Sequence, residues 1–149
     1  MTVYDIDAFD TSASTVAYLH SMGCKVIAYV SFGTWEDWRP DASLFPSSVK
    51  GKSNGWPGEK WLDIRSETVR TIMAARLDMI KQKGFDAVEP DNIDGYSNNT
   101  GFPLTAQDQI NYNRWIAEQC HQRGLSVGLK NDVEPVSYTH LTLPTNREV

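Results

Sequence analysis

Apolar positions along this chain follow two alternating rhythms: short strand-like runs, and longer stretches with helical spacing. Val3 to Asp7 is a short candidate strand. Asp10, Thr11 and Ser12 then offer N-caps for a helix through Val16, Leu19 and Met22 that stops at Gly23. Lys25 to Phe32 is apolar and rich in β-formers, the clearest strand of all. Thr34 to Gly58 reads as a long loop rich in Pro, Gly, Ser and Trp, and loops of that length in a compact domain are usually functional. Trp61 to Ile64 reads as a third strand. Ser66 caps a helix whose Val69, Ile72, Met73, Leu77 and Ile80 share one face, stopped by Gly84. Asp86 to Asp91 is the fourth strand. Thr105 and Asp108 have the spacing of a capping box, opening a helix through Ile110 and Ile116 to Gly124, and Ser126 to Lys130 is the fifth strand.

Strand and helix in alternation give an α/β fold with a parallel sheet. Polar residues close four of the strands: Tyr29 and Ser31 on one face of the second, Asp63 on the third, Glu89 and Asp91 on the fourth, and Lys130 with Asn131 on the fifth. In a flat sheet they would form a line, and they converge only if the sheet curls into a barrel. In parallel α/β barrels the C-terminal strand ends carry the chemistry.

Gly84 to Tyr96, GFDAVEPDNIDGY, is the densest of these segments, with Glu89, Asp91 and Asp94 close together where a strand gives way to a loop. Period-2 geometry turns Glu89 and Asp91 to the same side. Crowded carboxylates repel one another and lose solvation, which raises at least one pKa and leaves an acid able to donate a proton near neutrality. A calcium site or a solvated acidic turn would show the same local pattern. Asp91 is the first choice for a catalytic carboxylate: it is last on its face and is followed by Asn92, which can hydrogen-bond a sugar hydroxyl. Glu89, one pleat deeper, is the second, or it pairs with Lys130. Asp94 either binds a substrate amine or holds the loop through Gly95.

Charged residues make up 22% of the 149 residues and hydrophobic ones 40%, an ordinary globular composition. The net charge of −5 weighs against a nucleic-acid partner and suits cationic ligands. Cys24 and Cys120 lack metal spacing and read as two separate buried thiols, with a disulfide as the alternative. His20, His121 and His140 are not a metal set, and no metal or cofactor is expected. Met1 to Asp10 carries Asp5, Asp7 and Asp10 and does not read as a signal peptide. No stretch approaches the roughly 20 apolar residues of a membrane span.

Four motifs in order, VIAYVSFGTWEDWRPD from Val26, NGWPGEKWLDIRS from Asn54, GFDAVEPDNIDGY from Gly84 and GLSVGLKND from Gly124, closely resemble glycoside hydrolase family 114, the endo-α-1,4-polygalactosaminidase-like proteins. The resemblance runs from about Tyr4 to about Glu134. It implies a TIM-type (β/α)₈ barrel. At 149 residues the chain is shorter than the roughly 250 of a complete barrel, so a partial one is expected, with about five parallel strands and outer helices. It also implies an amino-sugar polysaccharide as partner, a monomer, and a secreted or cell-surface parent protein whose signal peptide is absent here. The family's catalytic acidic residue lies in the PDN segment, which places that role on Asp91.

Glycosidases usually need two carboxylates. The family places the partner on a later strand, beyond Lys130 and Asn131, and Glu134 does not match its motif, so this chain is expected to be an inactive fragment. A non-catalytic carbohydrate-binding or structural barrel module is the alternative. A metal-dependent hydrolase using Glu89, Asp91 and Asp94 is a third reading. The tryptophans point independently to carbohydrate, because aromatic faces stack on sugar rings. Trp35 or Trp38 is expected in the cleft, Trp61 and Trp115 in the core, and Tyr96 and Tyr112 at the cleft wall. Val136 to Val149 departs from the family pattern and reads as a non-native tail after a barrel domain over 1–135, with a divergent terminal strand as the alternative.

Overall fold

A computed structural model of the chain describes residues 1–128. The elements in chain order are β1 (Val3–Asp7), α1 (Ala13–Ser21), β2 (Lys25–Ser31), β3 (Thr34–Glu36), β4 (Lys50–Ser53), β5 (Glu59–Leu62), α2 (Glu67–Lys83), β6 (Ala87–Asp91), α3 (Ala106–Gln122) and β7 (Ser126–Val127), with single 3₁₀ turns at Ala42–Leu44, Ser47–Val49 and Gly95–Ser97. Local chemistry accounts for the helix ends. The hydroxyls of Ser12, Ser66 and Thr105 each accept an amide hydrogen of the first turn, and Thr105 with Asp108 closes a full capping box. Gly84 ends α2 at φ 91°, a conformation that favours glycine.

Four strands form one parallel sheet in the order β1-β2-β6-β7. Each neighbouring pair is joined through a helix, α1, α2 and α3 in turn. Parallel crossovers are right-handed, so the three helices stack side by side on one face, with α1 against α2 and α2 against α3. That face is the core. Val26, Ala28, Val30 and Val88 point into it against Val16, Val69, Met73, Leu77, Ile80 and Ile116, all nearly inaccessible. The opposite face carries Tyr29, Glu89 and Asp91, only half-buried. The fold class is the expected α/β one, with the parallel sheet and outer helices of a TIM-type barrel.

The third expected strand is displaced. Glu59–Leu62 pairs antiparallel with both Thr34–Glu36 and Lys50–Ser53 in a separate three-stranded sheet, and β2 pairs directly with β6 from Ile27↔Ala87 to Ser31↔Asp91. The cause is a hairpin inside the supposed loop, whose turn carries Gly55 and Gly58 at positive φ. The small sheet is tied to the strand ends by the Leu62 amide, which donates to the Gly33 carbonyl at 2.9 Å. Cys24 and Cys120 are separate buried thiols, as expected, and burial pushes the Cys120 thiol up to about 12. The last expected strand is described only over its first two residues. Lys130, Asn131, Glu134 and the segment Val136 to Val149 lie outside the described residues. Among the described residues no helix is long and apolar enough to cross a membrane.

Candidate active site

Parallel register sets the first row of the site. Asp7 of β1, Tyr29 of β2 and Glu89 of β6 lie side by side, and Ser31 pairs with Asp91 one pleat nearer the C-terminal strand ends. The Tyr29 hydroxyl reaches diagonally and donates a short hydrogen bond to Asp91 Oδ2. Asp91 Oδ1 accepts the Asn92 amide at 2.8 Å. Both carboxylate oxygens are therefore held by donors, which fixes the plane of the group. Burial raises the Tyr29 pKa far above its usual value, helped by the hydrogen bond to Asp91 and the negative charges of Asp91, Glu36 and Glu59. The phenol thus stays a donor at any physiological pH.

Asn92 is the one described non-glycine residue at positive φ, 58°. Its side-chain amide holds that conformation by donating to Ser31 Oγ at 2.9 Å and Thr34 Oγ1 at 3.2 Å. Asparagine tolerates the left-handed region better than most residues. Gly33 makes the approach possible, since a Cβ there would lie 1.6 Å from the Asn92 carbonyl oxygen. Ser31 and Thr34 share a 2.5 Å hydroxyl contact, and Thr34 Oγ1 donates to Glu59 Oε2 at 3.1 Å. A continuous polar path runs from the Asp91–Asn92 turn to the small sheet.

Around this centre the carboxylates differ in what holds them. Arg39 is buried and forks onto Asp7 at 3.0 and 2.7 Å while its Nε donates to Glu36 at 3.1 Å. Burial pushes the Asp7 carboxyl up, but Arg39 and the amides of Asp10 and Phe9 outweigh it, and the net shift is downward. Burial dominates at Glu36, whose carboxyl sits above the usual range despite Arg39. Asp94 is also raised, by burial first and then by the charge of Asp91. Arg76, on α2, forks onto Asp41 at 2.7 and 2.9 Å and donates to the Ser31 carbonyl at 2.8 Å.

The expected site residues divide accordingly. Tyr29, Ser31, Glu89, Asp91 and Asn92 stand together on one side of β2 and β6. Asp94 and Tyr96, both half-buried, occupy the loop that follows. Asp63 is taken up locally: its two oxygens accept from Arg65 at 2.9 and 3.0 Å. Trp35 alternates away from Thr34 and Glu36, so its ring lies on the outer face of the small sheet beneath the ammoniums of Lys50 and Lys60, 4.3 and 5.8 Å from its centroid. Trp38 is exposed, with the Arg39 guanidinium 5.7 Å from its ring. Trp61 is buried and Trp115 packs on the core, as expected. Tyr112 is not at a cleft wall: it is fully buried, and its hydroxyl donates to the Phe32 carbonyl at 2.6 Å. Its place on the apolar face of α3 fixes it there. Among the described residues no three His, Cys, Asp or Glu side chains are grouped as metal ligands would be.

Sequence reasoning missed the Asp7–Arg39 pair and the roles of Thr34 and Glu59. The pairing of Arg39 with Glu36 was readable from their spacing of three. Asp7 and Arg39 are 32 positions apart, and only the fold joins them.

The sequence profile of glycoside-hydrolase family GH114 matches residues 1–144. The crystal structure of Aspergillus fumigatus Ega3 in complex with galactosamine is similar at 47% identity and a TM-score of 0.88, over 92% of this chain and 56% of that one. This chain therefore spans little more than half of that relative's length. The glycoside hydrolase domain of PelA from Pseudomonas aeruginosa shares the fold, with a TM-score of 0.66 at 17% identity over 88% of this chain and 53% of that one. So does Eubacterium rectale Amy13B, with 0.61 at 12% identity over 78% and 29%. No match was found among curated proteins.

Proposed function

The chain belongs to glycoside-hydrolase family GH114, and from that premise we propose that it carries the Asp91 half of a hydrolase for amino-sugar polysaccharides. Within that class we propose endo-cleavage of α-1,4-linked galactosamine polymer. The observation that carries this reading is Asp91 at the C-terminal end of β6, oriented through both oxygens by Tyr29 and Asn92. A carboxylate that transfers a proton or attacks an anomeric carbon must be fixed relative to the sugar, and these two donors do that. Glu89, Asp94 and Tyr96 surround it on the same element and its loop. Excess acidic charge favours a substrate bearing ammonium groups, and Ega3 was crystallised with galactosamine.

The second carboxylate is proposed to lie on a later strand, outside the described residues. On this reading the 149 residues retain polymer without cleaving it, and a form extended over the rest of the barrel cleaves it. The parent protein is proposed to act outside the cell as a monomer. The test measures reducing ends released from deacetylated galactosamine polymer alongside polymer retention. In the extended form, Asp91→Asn keeps the shape and removes the ionisable group, so turnover is lost while retention persists. Near-native turnover by Asp91→Asn would make Asp91 structural and pass the role to Glu89 or Asp94.

A further inference from the structure

The hairpin between β4 and β5 shapes a cavity of about 530 Å³ on the outer side of the small sheet, lined by Trp35, Asp37, Trp56, Gly58, Glu59 and Lys60 among others. That volume is within the usual range for small-molecule sites. Trp56 stands at its rim, 69% exposed. A lone exposed tryptophan needs no explanation, but this one sits on a braced turn. The Trp56 amide donates to Asn54 Oδ1 at 3.1 Å, its carbonyl accepts the Glu59 amide at 3.1 Å, and Asn54 Nδ2 donates to Glu59 Oε2 at 2.8 Å. The Asp37 amide donates to the Gly58 carbonyl at 2.9 Å, clamping the hairpin to the end of β3. A Cβ on Gly58 would fall 2.6 Å from the Asp37 carboxylate, so only glycine lets that carboxylate sit against the turn.

The result is an exposed indole and an exposed carboxylate beside one cavity, both carried on backbone braced by hydrogen bonds. Among the described residues neither Asp37 nor Glu59 lies within ion-pair distance of a Lys or Arg. Trp35 lines the same cavity with Lys50 over its ring, so the open aromatic surface is that of Trp56. Glu59 joins the cavity to the centre: it accepts from Thr34, which is bonded to Asn92, the neighbour of Asp91.

We propose that this hairpin cavity is an outer subsite for one protonated amino-sugar unit of a polymer, with Trp56 stacking on the apolar face of the pyranose and Asp37 receiving the ammonium. It rests on the amino-sugar reading above and adds a place where the chain engages polymer away from the reacting bond. Stacking on Trp56 would serve any pyranose, whereas Asp37 distinguishes an ammonium from an acetamide.

The test is a fluorescence titration of the full chain with an α-1,4-linked galactosamine hexamer and with its fully N-acetylated counterpart. Trp56→Ala weakens the galactosamine hexamer about tenfold and removes part of the quench. Asp37→Asn weakens it about fivefold and leaves the N-acetylated hexamer within about twofold. Trp56→Ala within about twofold of wild type, equal effects of Asp37→Asn on both hexamers, or no binding of either hexamer by wild type would overturn the proposal. Both residues are exposed, and thermal melting confirms that the variants fold. The titration needs no turnover, so absent cleavage by a form extended over the rest of the barrel, together with Trp56-dependent binding, defeats the hydrolase reading and leaves the subsite standing. Cleavage insensitive to Trp56 and Asp37 does the reverse.

Discussion

Replacing Arg39 by methionine tests whether the polar shell around the strand ends is held by paired charge. Methionine keeps most of the stem volume and removes the guanidinium. The Arg39 side chain is 4% exposed, and so is that of Glu36, while Asp7 is 27% exposed. The change leaves Glu36 buried without its cation and strips Asp7 of a bidentate partner. Breaking a buried pair from one side costs about 3–5 kcal/mol, and because Asp7 is partly screened the lower end applies, about 3 kcal/mol. For a chain of this size that corresponds to a fall in Tm of roughly 6–12 °C.

The pH dependence distinguishes lost charge pairing from lost packing. In the native protein the Asp7 carboxyl is held below its usual value, so its contribution is present above the unfolded pKa and is lost as pH falls through the lowered one. Without Arg39 the Asp7 carboxyl keeps only the lowering effect of the Asp10 and Phe9 amides against burial, and the Glu36 carboxyl, already raised by burial, rises further. A group raised on folding destabilises as pH rises through its folded pKa. The deficit of Arg39→Met is therefore widest near neutrality and narrows toward about pH 4.5. Urea unfolding at about pH 7 and about pH 4.5 measures it. Adding Glu36→Gln to Arg39→Met should recover about 1–2 kcal/mol by removing the stranded charge. A deficit under about 1 kcal/mol, or one of equal size at both pH values, would refute the reasoning.

Three other outcomes follow from the same geometry. Tyr29→Phe, in a form that turns over polymer, lowers kcat about 10-fold or more with KM within about twofold, because it frees Asp91 to rotate without touching substrate affinity; steady-state reducing-end kinetics checks this, and an unchanged kcat counts against it. Gly33→Ala sets a methyl against the Asn92 carbonyl and destabilises by about 3 kcal/mol, at the upper end for overpacking, read as a shift in the urea midpoint. Thr105→Ala removes one half of the capping box of α3 and costs about 1 kcal/mol in thermal unfolding followed by circular dichroism, with no change in polymer retention.

Much of this was legible in the sequence because it is local. The first three parallel strands and the three helices were read within one or two residues, since caps such as Ser12, Ser66 and Thr105 act on amides three positions away. Glu89 and Asp91 sharing a face needed only the pleat. The third strand failed for the opposite reason. Glu59–Leu62 has an apolar end like a buried strand, but its partners Thr34–Glu36 and Lys50–Ser53 are short and polar, and nothing local marks them as strands. The turn residues Asn54 to Gly58 were the available signal. Tyr112 was misplaced because a tyrosine near a helix start looks the same whether its hydroxyl meets solvent or the Phe32 carbonyl 80 positions away.

The same distinction governs the electrostatics. From the sequence the site is a crowd of carboxylates, and from the structure it is two populations. Asp7 is offset by Arg39 and Asp41 by Arg76, arginines brought in from distant parts of the chain, while Glu36 shares Arg39 and Asp63 takes Arg65 from close by in sequence. Asp37, Glu59 and Asp94 have no such cation among the described residues. These three run from the loop after Asp91 across Glu59 to the outer hairpin, so the uncompensated charge is arranged along a path and not gathered at one point. A single ionised substrate group would need one carboxylate. A track of them beside an aromatic platform suits a ligand that repeats its positive charge, and a partly deacetylated amino-sugar polymer has that property. The field along such a track is screened within about 8 Å at physiological salt. Retention of the cationic polymer should therefore fall steeply with ionic strength, while retention of its N-acetylated form should hardly change.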